Sequence, residues 1–124
     1  MKTVIIYILL LMALQANLFS AGFKNSGAKI SLNNTVYVKV KDMEVKNDNN
    51  GEIIVRQTSE LKVEGADLVN ESGSIKVLGS VLGVNKNLIN KDIFNTESSS
   101  LSVVIMNIVN SGTIYNESVI EIGE

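Results

Sequence analysis

Apolar and polar residues alternate over short stretches, and the stretches recur. Leu61-Lys62-Val63 puts two apolar side chains on one face of an extended segment, and Val38-Lys39-Val40 and Leu101-Ser102-Val103 repeat the pattern. When these three are laid over one another, Asn47, Asn70 and Asn110 coincide. So do Gly51, Gly73 and Gly112, and then Ile53, Ile75 and Ile114. A more degenerate copy places Leu88-Ile89-Asn90 with Leu68-Val69-Asn70, and Asn25 in KNSGAKISL lies 22 residues before Asn47. A period near twenty residues, with short β-type segments in each copy, predicts a solenoid: one turn cannot bury its apolar face alone, but stacked turns bury a continuous core.

The pattern divides the chain into a leading partial rung over 25–35, full rungs over 36–60, 61–80, 81–100 and 101–119, and a restart at Ile120-Glu121-Ile122. Each rung reads as three short strands separated by bends, which gives a triangular cross-section. Inward columns are expected along Val40, Val63 and Val103, along Val45, Leu68, Leu88 and Ile108, and along Ile53, Ile75 and Ile114. With strands ~4.8 Å apart, the rod would be about 24 Å long. Burial of about 1.5–3 kcal/mol per Val, Leu or Ile works against about 1–2 kcal/mol of backbone ordering per residue, so stability depends on every turn being covered. The third rung matches least well: Gly83 stands where the alignment puts valine in its neighbours, and the polar run Ser98-Ser99-Ser100 predicts its loosest bend. A second architecture uses the same residues. Leu68–Val69 and Ile75–Val77 as hairpin arms around 70–73 would build an antiparallel β-sandwich, although sandwiches rarely keep a twenty-residue spelling across copies.

Composition adds the ends and the compartment. Met1-Lys2 followed by the apolar run Val4–Leu14 and the small residues Ser20-Ala21-Gly22 has the layout of a secretory leader, with cleavage after residue 20, 21 or 22 and a slight preference for Gly22. Residues 1–22 are therefore assigned to a signal peptide and 23–124 to a β-solenoid domain, either whole or part of a longer array. The chain carries 11 basic and 13 acidic residues, so nucleic acid is not an expected partner. It has no cysteine, so an exported domain must rely on burial and backbone pairing. It has no proline either, so no strand lacks a donor for that reason.

The sharpest candidate feature is the asparagine series Asn25, Asn47, Asn70, Asn90 and Asn110. Asparagine tolerates the left-handed backbone of a corner, and its amide can bond to the same amide one turn away. It is read as a structural ladder rather than a ligand site. Glu44, Asp67, Asn87 and Asn107 form another column, read as a solvated face. DNNGE at 48–52 does not fit a calcium loop of the EF-hand type, because Lys46 and Gln57 occupy its first and twelfth positions; it reads as a turn with an insertion. Phe94 and Tyr115 align in their rungs as a core or groove contact. Catalysis is poorly provided for. Histidine and cysteine are absent, and Arg56 is the only arginine. No catalytic residue, metal or cofactor is expected. The triplets starting at Asn33, Asn70 and Asn116 that match glycosylation acceptors are expected by chance in so Asn- and Ser-rich a chain.

The rung spellings LVNESGSIKVLG and IVNSGTIYNESVIEIG resemble those of exported bacterial parallel β-helix proteins, the passenger domains of autotransporters and filamentous-haemagglutinin-like adhesins. The resemblance implies a right-handed single-stranded parallel β-helix, export to the medium or the bacterial cell surface, including the outer membrane, and a non-enzymatic adhesin-like or structural role. Its partners would be a glycan or protein of a host or neighbouring cell, with self-association through the solenoid ends. The alternative on the same scaffold is a polysaccharide-binding or polysaccharide-active protein, which needs carboxylates grouped around Arg56.

Overall fold

The computed structural model describes residues 22–97 and 102–123. The expected leader at 1–22 therefore falls outside them except for Gly22, and so do Ser98–Ser100 and Leu101. The described chain is an all-β solenoid of about 5 turns with rungs of about 21 residues. Three strand positions recur in every turn. The first holds β3 (Tyr37–Lys41), β6 (Glu60–Glu64), the opening half of β9 (Val81–Asn90), the opening half of β11 (Ser102–Asn110) and β13 (Ile120–Ile122). The second holds β1 (Gly22–Ser26), β4 (Glu44–Asp48), β7 (Leu68–Asn70) and the closing halves of β9 and β11. The third holds β2 (Lys29–Leu32), β5 (Gly51–Arg56), β8 (Gly73–Leu78), β10 (Ile93–Thr96) and β12 (Thr113–Asn116). All the strand pairings are parallel, which excludes the hairpin sandwich. Leu68–Asn70 and Gly73–Leu78 are neighbours in sequence, but each pairs with the turns before and after it rather than with the other.

Period-two alternation decides which side chains fill the coil. In β3 and β6, Val38, Val40, Leu61 and Val63 are buried, and Lys39 and Lys62 between them are exposed. The column expected through Val45, Leu68, Leu88 and Ile108 is present and begins one turn earlier at Phe23. Ile53, Ile75 and Ile114 also share a column, with Ile30 below them and Phe94 between Ile75 and Ile114.

The first-position columns differ from the alignment by two residues at the far end. Val103 pairs with Leu82 and so continues Val38 and Leu61, while Ile105 continues Val40, Val63 and Val84. The cause is a corner that tightens along the stack. Five residues separate Val40 from Val45 and Val63 from Leu68, four separate Val84 from Leu88, and three separate Ile105 from Ile108. A constant-length alignment counted back from the asparagines therefore slips. The same slip misplaced Gly83, which pairs with Lys62 and Val104 on the outer surface. Among the described residues of the third rung, Leu82, Leu88, Asn90, Phe94 and Thr96 have no exposure, and the bend expected at Ser98-Ser99-Ser100 lies outside them.

Corners are built differently at the two ends. Asn34 and Thr35, Asn49 and Asn50, and Gln57 and Thr58 are consecutive pairs in the left-handed region, with φ between 54° and 63°. The Asn49–Asn50 pair takes up the insertion that lengthens this bend relative to 70–73. Gly73 meets the most demanding requirement: its φ is 124°, and a Cβ there would collide with the Gly51 carbonyl oxygen.

Candidate functional site

The strand that ends each second position delivers an asparagine to the interior at the corner. Asn25, Asn47, Asn70, Asn90 and Asn110 are in strict register. Each Nδ2 donates to the next Oδ1 at 2.9, 2.9, 2.8 and 2.8 Å. The second amide hydrogen is used on the backbone of the bend. Asn47 Nδ2 donates to Gly51 O at 2.8 Å, Asn70 Nδ2 to Ile93 O at 2.9 Å, and Asn90 Nδ2 to Thr113 O at 3.1 Å. The ladder thus satisfies carbonyls that the turn would otherwise bury unpaired. Among the described residues, no buried side-chain nitrogen or oxygen lacks a partner. The amides of Asn25, Asn47, Asn70 and Asn90 are buried and engaged, so this stretch forms a structural spine, while Asn110 at the last turn is exposed. The ladder also has a direction, with the donor always on the lower-numbered residue.

A second, outward ladder runs beside it. Asn87 donates to Asp67 Oδ1 from its backbone N–H at 3.2 Å and from Nδ2 at 3.0 Å, and Asn107 Nδ2 donates to Asn87 Oδ1 at 2.9 Å. Glu44 begins β4, adjoining this row across the strand pairing, and is exposed. The row expected to be merely solvated is thus hydrogen-bonded over three turns. At another corner Ser59 Oγ accepts the Val36 N–H at 3.0 Å, and Ser59 and Ser80 are fully buried. Sequence reasoning passed over these serines; their sign was a polar residue ahead of the apolar restart in successive rungs.

A shallow groove on the outer surface is bordered by Lys62, Gly83, Asn85, Val104, Met106 and Gly123. It exists because Gly83 supplies no side chain between Lys62 and Val104. Phe94 and Tyr115 do not meet as expected: Phe94 faces inward against Ile114, while Tyr115 pairs with Asn95 and is exposed.

Some of the carboxylates, Asp48, Glu52, Glu60, Glu64 and Glu71, are paired with lysines. Asp48 lies 3.2 Å from Lys24, Glu64 3.0 Å from Lys39, and Glu71 2.8 Å from Lys91. Glu52 sits between Lys76 at 3.0 Å and Lys29 at 3.5 Å. Lys76 holds the Glu52 carboxyl below its ordinary value, with Lys29 adding to the effect against a smaller opposing push from burial. The Asn49 N–H and Lys24 lower Asp48 in the same sense. Both groups are thereby kept as carboxylates, the wrong state for a general acid at neutral pH. Among the described residues, no carboxylate forms an ion pair with Arg56.

Compared with known proteins, the chain matches no family model, no curated protein and no solved structure. The likeness to autotransporter and haemagglutinin-like rungs therefore stands on the rung spelling alone.

Proposed function

We propose that the chain is an exported, non-enzymatic structural element of a cell surface, a short rigid rod that displays its corners in an adhesin-like manner. The observation that carries this reading is the spine. A column of hydrogen-bonded amides, buried from Asn25 to Asn90, and an apolar interior commit the inside of the coil to structure, leaving corners and outer faces for contact. Glu52, held ionised by Lys76, and Asp48, held ionised by the Asn49 N–H and Lys24, support the same reading over polysaccharide cleavage. The apolar leader-like run at 4–14 supports passage through a membrane. The partner would be a surface glycan or protein, met by exposed corner residues such as Asn34, Asn49 and Lys91.

Fractionation of cells producing the full chain with a C-terminal tag tests this. Recovery in the medium or on the surface, shortened by about twenty residues and sensitive to added protease in intact cells, is the expected result. Full-length protein confined to the cytoplasm contradicts it. Glycan-array binding with loss of mass from a polysaccharide substrate would instead favour the enzyme.

A further inference from the structure

The outward side of the first strand position carries a column whose size and charge change from turn to turn. Lys39, Lys62, Gly83, Val104 and Glu121 lie over one another. Gly83 leaves a recess walled by the Lys62 stem. Beside it stands a ridge, with Val104 37% exposed and Met106 on the same strand 39% exposed. Two large apolar side chains thus stand in water next to a recess on the same sheet face. The charges on either side are open to new partners. Among the described residues Glu121 forms no ion pair, and Lys62 has only a 3.8 Å approach to Glu60. We propose that this face pairs with the same face of a second copy as a two-fold dimer, Val104 of each copy filling the recess at Gly83 of the other and Lys62 of each meeting Glu121 of the other.

Two sheets packed face to face lie ~10 Å apart, so the symmetry axis decides which side chains meet. A two-fold along the coil axis puts each turn opposite itself. Lys62 then meets Lys62 and Glu121 meets Glu121, which like-charge repulsion disfavours. A two-fold along the strands reverses the order of the turns and leaves its level to be fixed. At the level of Gly83, two recesses face each other and Lys62 faces Val104. At the level of Val104, two ridges collide and Gly83 faces Glu121. Midway between them, each ridge meets a recess, and opposite charges meet on both flanks. The strands of the two copies then run in the same direction and the coil axes are antiparallel. This interface is isologous and closes at two copies. Four facing turns at ~4.8 Å, each over about five residues of ~3.3 Å, cover on the order of 300 Å² per copy. A standard interface buries ~800 Å² per partner, so the dimer is weak and populated at high concentration. The pairing is lateral, uses no residue of the coil interior and is independent of the surface role proposed above.

The decisive variant is Gly83→Val. Gly83 does not hold a left-handed φ, and an added Cβ would meet only the flexible Lys62 side chain, at 3.3 Å from its Cγ. Valine therefore suits the strand while filling the recess. In sedimentation experiments the purified protein is expected to run as a monomer at micromolar concentration and to shift toward the dimer at millimolar. Gly83→Val is expected to keep or raise the melting temperature while weakening association at least ~10-fold. Lys62→Glu and Glu121→Lys are each expected to weaken association, and the two together to restore it. In isotope-filtered spectra of mixed labelled and unlabelled protein, the Val104 methyl protons of one copy are expected to contact the Gly83 Hα protons of the other. A protein that stays monomeric at millimolar concentration, leaving the groove to an unlike molecule, would overturn the proposal. So would a Gly83→Val variant that dimerises as well as wild type, or a double charge exchange that associates no better than the single ones.

Discussion

Asn90 and Asn110 occupy the same place in successive turns, yet Asn90 has no exposure and Asn110 is open to solvent. Leu88 and Ile108 differ in the same way, and so do Phe94 and Ile114. The residues are of one kind, on equivalent strands, at equivalent corners. What separates them is whether a further turn lies on top. At this end of the coil burial is therefore conferred by the following turn, whereas at the other end Phe23, Asn25, Leu32, Val38 and Val40 are buried with no described turn below them, so the energetic meaning of a given residue type changes along the axis.

The largest contrast is in the apolar columns. Phe94→Ala, in the middle, is expected to cost about 3–5 kcal/mol, enough to remove most of the stability of a domain this small. Ile114→Ala, one turn later in the same column, is expected to cost about 1–2 kcal/mol, since half-burial forfeits part of the transfer energy. Equal costs in urea melts would break the comparison. In the spine, Asn70→Ala strands the Asn90 oxygen and the Ile93 carbonyl and is expected to cost about 3 kcal/mol. Asn110→Ala, with water at hand, is expected to cost under about 1 kcal/mol.

The corners sharpen the comparison further. Thr58 holds a φ of 59° with a β-branched side chain, a conformation that costs roughly 1–2 kcal/mol in an L-residue. Thr58→Gly relieves that strain and gives up the 3.0 Å contact with Thr35 Oγ1. Its greater freedom in the unfolded chain offsets part of the gain. A net gain of about 0.5 kcal/mol is expected, read as a higher melting temperature. The Gly79 corner one turn on, with φ 61°, already has this solution, so Gly79→Thr is expected to lower stability.

Much of the coil was legible because its signals repeat. The asparagine columns, the Ile53–Ile75–Ile114 alignment and the restart at Ile120 follow from spacing alone, since a residue that must meet its own kind one turn away leaves a period. The first-position register at Val103 and the setting of Gly83 were not legible. Their corner shortens from turn to turn, and a shorter corner leaves no distinctive residue behind; at Ile105–Asn107 it survives only as a bulge. Tyr115 was misjudged for a related reason, because one residue of slip exchanges the inside and outside of a strand. The outward Asp67–Asn87–Asn107 ladder was visible as a column, but its bonds depend on side-chain geometry that a column does not specify.

The smallest effect is electrostatic. Folding lowers the pKa of Glu52, so the native chain gives up this proton more readily than the unfolded chain does. The resulting stability is full above the ordinary glutamate value and is lost as pH falls through the lower folded value. Asp48 acts in the same direction. The melting temperature is expected to fall below about pH 4.5, and Glu52→Gln is expected to flatten that fall. The carboxylate is partly solvated, so the contribution stays under about 1 kcal/mol.

The claim beneath all of this is that successive turns lie over one another with their asparagine amides in contact. NMR of the uniformly labelled protein tests it most directly. The account predicts slowly exchanging side-chain amide protons for Asn47, Asn70 and Asn90, with cross-peaks linking each asparagine to the next. Rapid exchange of all three amides, or cross-strand peaks joining Leu68–Asn70 to Ile75–Val77 as arms of a hairpin, would contradict it.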